Sequence, residues 1–391
     1  MFESRLSFKG ETMTERYNIN RSFEENKKEG PYGFEKIEDN NQKIDSLLKN
    51  GGIKTDFFGF ETKLPLGVAA GPLFSPKYMK AAALDGFSVV TWKTFRSQTH
   101  LAHRNNGDFS AHNIGAVKLK NMLAKSNIGD EIEIVSELPG NKKKLSITNS
   151  FGMGSDAPSI WKEEVLEIEK WMNSYNKKTI ASAVGSPKPG WTVKDLAEDY
   201  AKVATILEEC GIDIIELNFS CPNVSSKEGA IYKNPKDSAH ISKIVRESLK
   251  NRDTKLLLKV GYSTKEDYRA LLLTVDSHID GIVAINTIPM KVVDKDKKQA
   301  LPGGLISGVC GFGILDLAVK AVEDLVELRE ELDNKLKIIG CGGVTSPEAA
   351  MRHINAGADF VMCATSAFFN PALPLEFAKY INKYRGCLGQ S

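Results

Sequence analysis

The 391-residue sequence lacks the features that mark several specialised classes of protein. No apolar run approaches the roughly 20 residues of a membrane-spanning helix, and the first 20 residues have no hydrophobic centre typical of a secretory signal. The six cysteines include no CxxC pair, which argues against a zinc site or a cysteine-ligated iron–sulfur cluster. The net charge is only +2, so no nucleic-acid or membrane partner is indicated. We therefore expect a cytoplasmic protein.

Eight short apolar runs rich in β-branched residues recur from about residue 64, with helix-like segments between most of them. They span residues 65–71, 87–93, 179–185, 211–220, 255–261, 281–287, 335–343 and 358–366. Near-continuous apolar strands are typical of a parallel sheet covered on both faces. Eight such alternations predict an α/β fold, the (β/α)8 TIM barrel, and a doubly wound open sheet is the alternative. Ser263 with Glu266, and Ser346 before Pro347, predict two helix starts.

Two regions do not fit this repeat. Residues 1–50 are polar and rich in Lys and Glu, and we expect them to form an N-terminal arm on a barrel of residues 51–391. Residues 95–148 form a long insertion after the second strand, too long for a simple loop. A lid, a surface for a partner or a second subunit, and a solvated decoration are the alternatives for these segments.

Polar residues stand where several of the predicted strands end. Each alone has an ordinary explanation, because a strand-end Lys is usually salt-bridged, an Asn usually forms a turn and a Cys is usually core. In a TIM barrel, however, these ends share one rim, and each neutral group buried without a partner would cost about 1–3 kcal/mol. A ligand rich in hydrogen-bonding groups would satisfy them. The residues are Lys93, Thr94, Asn149, Asn218, Cys221, Lys259, Asn286 and Thr287.

Three glycine-rich or small-residue segments follow the last three predicted strands, at residues 301–308, 340–344 and 363–366. Loops after strands seven and eight form the usual phosphate site of TIM barrels, since backbone N–H groups without a neighbouring Cβ can approach a phosphate closely. The order of these segments predicts a bound phosphate group.

Four motifs then occur in a fixed order: ELNFSCPN (216–223), AINT (284–287), PGGLISG (302–308) and IIGCGG (338–343). Together they resemble the FMN-dependent dihydroorotate dehydrogenases, most closely the soluble class whose base is a cysteine, and the related barrel of dihydropyrimidine dehydrogenase. The resemblance covers about residues 64–385. It implies a flavoprotein oxidoreductase that binds FMN and interconverts dihydroorotate and orotate in pyrimidine biosynthesis.

The resemblance also implies three groups of site residues. The flavin ring and ribityl chain would be contacted by Ala69, Ala70, Gly71, Lys93, Thr94, Lys259 and Ile285. The phosphate side would be held by Gly304, Gly308, Gly342, Gly343, Ala364 and Thr365. The pyrimidine would be bound by Lys93, Asn149, Asn218, Asn223, Asn286 and Thr287, of which Asn149 and Asn218 would also touch the flavin.

The implied chemistry needs a base and a positive charge. Cys221 would take the proton from C5 of the dihydropyrimidine while the hydride leaves C6 for the flavin, and a thiol can do so once its pKa is lowered. Lys93 would assist catalysis and, with Lys259, place positive charge where the reduced flavin becomes anionic. Asn223 favours a substrate that carries a carboxylate.

Two departures from the family pattern leave alternatives open. The segment SFGMGSDAP after Asn149 differs from the family's usual sequence, and GGLISG has one residue more than usual. A dihydrouracil or dihydrothymine dehydrogenase is therefore the main alternative. A tRNA dihydrouridine synthase and a non-catalytic phosphate-binding barrel are remoter ones. We also expect a homodimer, and a small oxidant or an electron-transfer partner protein as the acceptor.

Overall fold

The computed structural model describes residues 15–103, 112–117, 119, 121–135, 137–220 and 227–388. Within these ranges the strands are β1 (Thr55–Phe57), β2 (Phe60–Thr62), β3 (Leu66–Leu73), β4 (Val89–Phe95), β5 (Ile114–Val117), β6 (Glu131–Val135), β7 (Ser146–Asn149), β8 (Lys178–Ala183), β9 (Ile214–Asn218), β10 (Lys255–Val260), β11 (Gly281–Ala284), β12 (Ile288–Val293), β13 (Ile306–Gly311), β14 (Lys337–Cys341) and β15 (Phe360–Cys363).

The helices of the described residues lie mainly between the parallel strands. They are α1 (Phe23–Glu29), α2 (Asn41–Leu47), α3 (Pro76–Asp85), α4 (Pro158–Ser174), α5 (Val193–Glu209), α6 (Pro235–Ser248), α7 (Lys265–Val275), α8 (Leu315–Glu331), α9 (Pro347–Asn355), α10 (Thr365–Phe369) and α11 (Leu373–Leu388). Among the described residues, no helix has the length and apolar character that crossing a membrane requires.

Side-chain caps set the helix boundaries. The start of α9 is as predicted, since the Ser346 side chain accepts a hydrogen bond from the backbone N–H of Ala349. The predicted capping box of α7 is wrong by one residue, because Thr264 and Asp267 form it. Ser263 instead donates its hydroxyl to Asp267.

Eight parallel strands form a closed barrel in the order β3, β4, β8, β9, β10, β11, β14, β15, and β15 pairs with β3 to close it. The eight strands correspond to the eight predicted apolar runs, so the (β/α)8 fold is confirmed. Side chains from all eight fill the interior, where Ile214 and Leu257 are completely buried. Phe57, from the β1–β2 hairpin, packs in the same cluster with its ring centroid 4.5 Å from that of Phe360.

A second closed sheet of five strands lies outside the repeat, in the order β12, β13, β7, β5, β6. Three of its strands come from the long insertion, as the length of that segment suggested. The other two, β12 and β13, follow the sixth barrel strand. The start of β13 was expected only as part of a glycine-rich segment, and β12 was not predicted. The register places Gly308 of β13 opposite Asn149 of β7.

The described part of the N-terminal arm packs against the barrel rather than extending from it. Tyr17, Phe23 and Ile44 are buried in the main hydrophobic core. Arg16 donates two hydrogen bonds to the carboxylate of Asp85 at the end of α3, at 2.5 and 3.2 Å, and both residues are buried. A buried ion pair and apolar contacts therefore join residues 15–50 to the barrel.

Candidate active site

A cavity lies at the carboxyl ends of the barrel strands, where the five-stranded sheet forms one of its walls. β7 and β13 supply Asn149 and Cys310 to this wall, opposite Lys259 and the other barrel residues. Fifteen of the residues expected to bind flavin or substrate line the cavity together: Ala69, Ala70, Gly71, Lys93, Thr94, Asn149, Asn218, Lys259, Ile285, Asn286, Thr287, Gly342, Gly343, Ala364 and Thr365.

Four expected residues are not among those that line the cavity. Cys221 and Asn223 lie outside the described residues. Gly304 and Gly308 are described but are not brought to the cavity. Gly308 is held within the five-stranded sheet, where β13 pairs with β7 on one side and β12 on the other. Three residues later the strand ends at Gly311, whose φ of +85° suits glycine and which does line the cavity.

Lys259 is buried at the cavity floor, on the inner face of β10. Its Nζ lies 3.7 Å from the Sγ of Cys341, with which it forms a hydrogen bond. Burial by itself would lower the pKa of Lys259, but Cys341 and the carboxyl group of Glu216 act in the other direction and raise it. Burial also raises the pKa of the Cys341 thiol, so this sulfur is uncharged near neutral pH. We therefore attribute the charge of Lys259 mainly to Glu216.

Lys93, on β4, presents a second positive charge to the cavity. Its Nζ lies 4.5 Å from the ring centroid of Phe151 and 5.8 Å from that of Phe23 in the N-terminal arm. Aromatic faces stabilise a nearby ammonium through their quadrupole. His103 lies near Lys93. Burial lowers the pKa of its imidazole, and the positive charge of Lys93 lowers it further.

The amide of Asn218 is fixed by neighbouring polar groups. Its Nδ2 donates to the hydroxyl of Thr94 at 3.2 Å, and that hydroxyl lies 3.1 Å from the Ser182 hydroxyl. The same Nδ2 lies 3.5 Å from the Sδ of Met153. Since Thr94 and Asn218 both line the cavity, their side chains are oriented before a ligand arrives.

The residue immediately before Cys221 is also firmly held. The backbone N–H of Ser220 donates to Asn218 at 3.2 Å, and its hydroxyl donates to the carbonyl of Lys259 at 3.2 Å. The side-chain amide of Asn286 donates to the Ser220 carbonyl. Three cavity residues thus fix the position from which the chain continues to Cys221.

The segment after Asn149 turns sharply at the cavity wall. Gly152 and Met153 have φ values of +66° and +53°, a region that non-glycine residues adopt uncommonly. Arg96, which is buried, donates from Nε to the Met153 carbonyl at 3.1 Å. Its backbone N–H donates to the hydroxyl of Ser155, also at 3.1 Å. A Cβ on Gly152 would come within 2.4 Å of the His103 ring, so this turn requires glycine.

The glycines after β14 also line the cavity. Gly342 and Gly343 have φ values of +120° and +75°, and a Cβ on Gly343 would lie 2.4 Å from Leu315. His353 lies 2.9 Å through Nε2 from the carbonyl of Gly342 and fixes this peptide. Thr365 lines the cavity as well. Backbone N–H groups without a neighbouring Cβ suit a phosphate.

The sequence prediction missed several residues of the site. Three cysteines interpreted as ordinary core residues line the cavity, and so do two residues of the turn after Asn149. Cys341 and Cys363 end barrel strands, the same position that identified Lys259, so their location could have been found from the sequence. These five lining residues are Phe151, Met153, Cys310, Cys341 and Cys363.

Comparison with known proteins agrees with this geometry. Residues 98–383 match the family model described as dihydroorotate dehydrogenase. A dihydroorotate dehydrogenase of Dictyostelium discoideum is 32% identical over 373 residues, which cover 92% of this chain and 96% of that protein. The chain belongs to the dihydroorotate dehydrogenase family. The catalytic subunit of a dihydroorotate dehydrogenase B (NAD(+)) from Methanocaldococcus jannaschii is 27% identical over 65% of this chain and 76% of its own.

The cavity has the groups that the FMN of a dihydroorotate dehydrogenase would require. Lys93 and Lys259 bring positive charge to the cavity, and Gly342 and Gly343 bring backbone with positive φ values to it. No described Asp or Glu residue lines the cavity, so nothing there opposes an anionic phosphate. Groups that suit the ring and the phosphate of FMN thus line one cavity.

Proposed function

We propose that this protein is an FMN-dependent oxidoreductase that interconverts dihydroorotate and orotate in pyrimidine biosynthesis. The observation that carries the proposal is the convergence of two buried lysines and three asparagines on one cavity. Membership of the dihydroorotate dehydrogenase family supports it. Amide side chains match the alternating N–H and C=O groups at the edge of a pyrimidine.

Each residue of the site has a separate role in this proposal. Cys221 takes the proton from C5, and the hydrogen bonds to Ser220 fix the chain directly before it. Asn149, Asn218 and Asn286 orient the ring, and Lys93 with Asn223 binds its carboxylate. FMN, when bound, accepts the hydride from C6. Lys259 then offsets the negative charge that reduction creates.

The phosphate side of the cofactor would be held at Gly342, Gly343, Ala364 and Thr365, together with Gly311 in place of Gly304 and Gly308. The hydroxyl of Thr365 is oriented by a hydrogen bond of 3.6 Å to Cys310. Burial raises the pKa of Cys310 to about 11, so this thiol adds no negative charge beside the phosphate at neutral pH.

A dehydrogenase of dihydrouracil or dihydrothymine is the second candidate function. The observation in its favour is the turn after Asn149, whose sequence departs from the family pattern. The backbone of Gly152 and Met153 nevertheless lies at the cavity wall, where it could meet a substrate carboxylate. We prefer dihydroorotate because Lys93 adds positive charge at the same wall.

An anaerobic titration of the purified protein tests both functions. The protein should show the visible absorption bands of a bound flavin, or acquire them with FMN. Dihydroorotate should bleach these bands, and dihydrouracil should leave them unchanged. Bleaching by dihydrouracil alone would favour the second candidate. A protein that neither contains nor takes up FMN would contradict the flavoenzyme proposal altogether.

Several properties stay predictions of the same proposal. The cytoplasmic location rests on the composition of the sequence, and the homodimer rests on the resemblance. The electron-transfer partner or small oxidant rests on the lack of cluster-binding cysteine motifs in the sequence. The name of the Methanocaldococcus relative includes NAD(+), so NAD(+) is one acceptor to test here. We also propose that the arm and residues 51–391 form one folding unit, because Arg16 and Asp85 join them through a buried ion pair.

A further inference from the structure

Glu216 is a buried acidic residue on β9 that the proposed reaction leaves without a role. It is completely buried, and within the described part of the chain neither carboxyl oxygen has a hydrogen-bond partner. An acidic group in such a place is costly unless a nearby charge compensates it. The surroundings of Glu216 should therefore contain a cation.

The register of the barrel shows where that cation lies. Alternate residues of β9 face the interior, so Glu216 lies between Ile214 of the inner core and Asn218 of the cavity. Glu216 pairs with Leu257 of β10, and Lys259 is the next inward-facing residue of that strand. From the spacing of neighbouring strands and residues, their Cα atoms are about 8 Å apart.

Lys259 in turn has few partners of its own. Among the described residues, its ammonium group donates to the Cys341 thiol and forms no direct ion pair. The other titratable groups that the described residues bring to the cavity are Cys310 on β13, Cys363 on β15 and Lys93 on β4. Burial keeps both of these cysteines uncharged near neutral pH by raising the pKa of each thiol, and Lys93 has the same charge as Lys259. Glu216 is thus the acidic group placed to balance Lys259.

We propose that Glu216 is a positioning residue for the redox step, whose carboxylate keeps Lys259 protonated at the cavity that would hold the flavin, in both redox states. This inference rests on the proposed function, since it concerns the charge that a reduced flavin meets. Its consequence is that reduction proceeds without proton uptake at Lys259. The positive charge is then in place before the hydride arrives.

The midpoint potential of the bound flavin, measured against pH, tests this role. In Glu216→Gln the buried Lys259 should lose its proton in the oxidised protein at alkaline pH and regain it on reduction. One extra proton for two electrons steepens the potential by up to about 30 mV per pH unit, and we expect this at pH values below the ordinary titration range of lysine. Wild type should lack the extra slope. Parallel curves for the two proteins would overturn the proposal.

Two further variants identify the group that titrates. In Glu216→Gln combined with Lys259→Arg the slope should return to that of wild type, since a guanidinium does not lose its proton. Glu216→Asp, which keeps the carboxylate, should lie nearer to wild type than Glu216→Gln. If the extra slope persisted in the double variant, the titrating group would be another residue and the proposal would be wrong.

A double-mutant cycle in the flavin-free protein covers the case in which Glu216→Gln folds poorly. Glu216→Leu and Lys259→Met each leave one charge unbalanced, whereas the double variant removes both. The double variant should lose less thermal stability than the sum of the single variants. Additive losses would contradict the pairing. If the wild-type protein cannot bind FMN but the cycle still shows coupling, the proposed function is rejected, whereas the pairing of Glu216 with Lys259 is retained.

Discussion

The Nζ of Lys93 lies 4.5 Å from the ring centroid of Phe151, so a cation of the barrel rim rests on an aromatic ring from outside the barrel repeat. Phe151 belongs to the turn that follows β7, and Lys93 lies near the end of the second barrel strand, β4. The five-stranded sheet therefore does more than cover the cavity, since it helps to place one of the two cavity cations.

Replacing Phe151 with Leu should weaken substrate binding. A cation–π contact contributes about 0.5–2 kcal/mol, so we expect KM for dihydroorotate to rise roughly 2- to 30-fold with flavin absorption unchanged. Steady-state kinetics measure this. Phe74→Leu is the control, because Phe74 packs on Phe23 in the same aromatic cluster without a described contact to Lys93. Equal effects of the two variants would show that general packing, rather than the contact with Lys93, is responsible.

Replacing Cys221 with Ala should leave FMN bound but slow its reduction by dihydroorotate. A positioned base contributes about 10²- to 10⁴-fold to the rate, which stopped-flow absorbance can measure. Cys210→Ala is the matched control, since the Cys210 thiol is buried against the carbonyl of Lys162 and is not among the residues that line the cavity. An unchanged rate in Cys221→Ala would assign the base to another group.

Arg96→Lys keeps the positive charge but loses the planar fork that holds the turn after Asn149. The guanidinium donates to the carbonyls of Met153 and Gly185 at 3.1 and 3.0 Å, and a lysine cannot make both bonds in that geometry. We expect KM for the substrate to rise about tenfold or more, on the basis of one or two lost charged hydrogen bonds, with FMN affinity retained. Loss of FMN together with substrate binding would indicate that Arg96 supports the general stability of the barrel rather than the substrate site.

The ion pair of Arg16 and Asp85 should make the N-terminal arm part of the cooperative fold. Removing one partner of a buried pair costs about 3–5 kcal/mol, so Asp85→Asn should lower the free energy of unfolding by that amount in urea titrations. Arg16→Met with Asp85→Leu should recover much of the loss. A separate unfolding transition for the arm would contradict its integration with the barrel.

His353 should make the protein less stable in acid. It is completely buried, and burial lowers its pKa from 6.5 to about 4, so the unfolded chain binds a proton more readily than the folded one. The contribution of neutral His353 to the free energy of unfolding is complete above about pH 6.5 and declines as the pH falls towards 4. The decline amounts to about 2 kcal/mol between pH 7 and pH 5. Urea unfolding at these two pH values measures the loss. His353→Gln should show a smaller difference, and an unchanged difference would assign the acid sensitivity to other groups.

The barrel could be predicted from the sequence because its strands are buried on both faces. Eight apolar runs, separated at regular intervals by helix-like segments, reflect that burial directly, as in LLLKV of β10. Lys93 and Lys259 could be located for the same reason, since a charge at the end of an apolar run contrasts with its neighbours.

The five-stranded sheet could not be predicted in this way. Its strands are short and partly exposed, as in β6, where the burial alternates weakly. β12 and β13 contain Pro289 and two glycines, which favour loops in a local reading. They pair with each other, but their other partners, β6 and β7, lie more than 150 residues away along the chain. Only the folded structure therefore shows that Gly311 rather than Gly308 reaches the cavity.

One wall of the cavity is encoded in two pieces. Residues 114–149 and 288–311 lie in different intervals of the barrel repeat, and neither piece closes the five-stranded sheet alone. A graft of the insertion from one relative into another would therefore transfer only part of the five-stranded sheet that forms the cavity wall. Changes of substrate range in such chimeras should succeed only when both segments are exchanged together, because substrate selection is shared between two distant stretches of the gene.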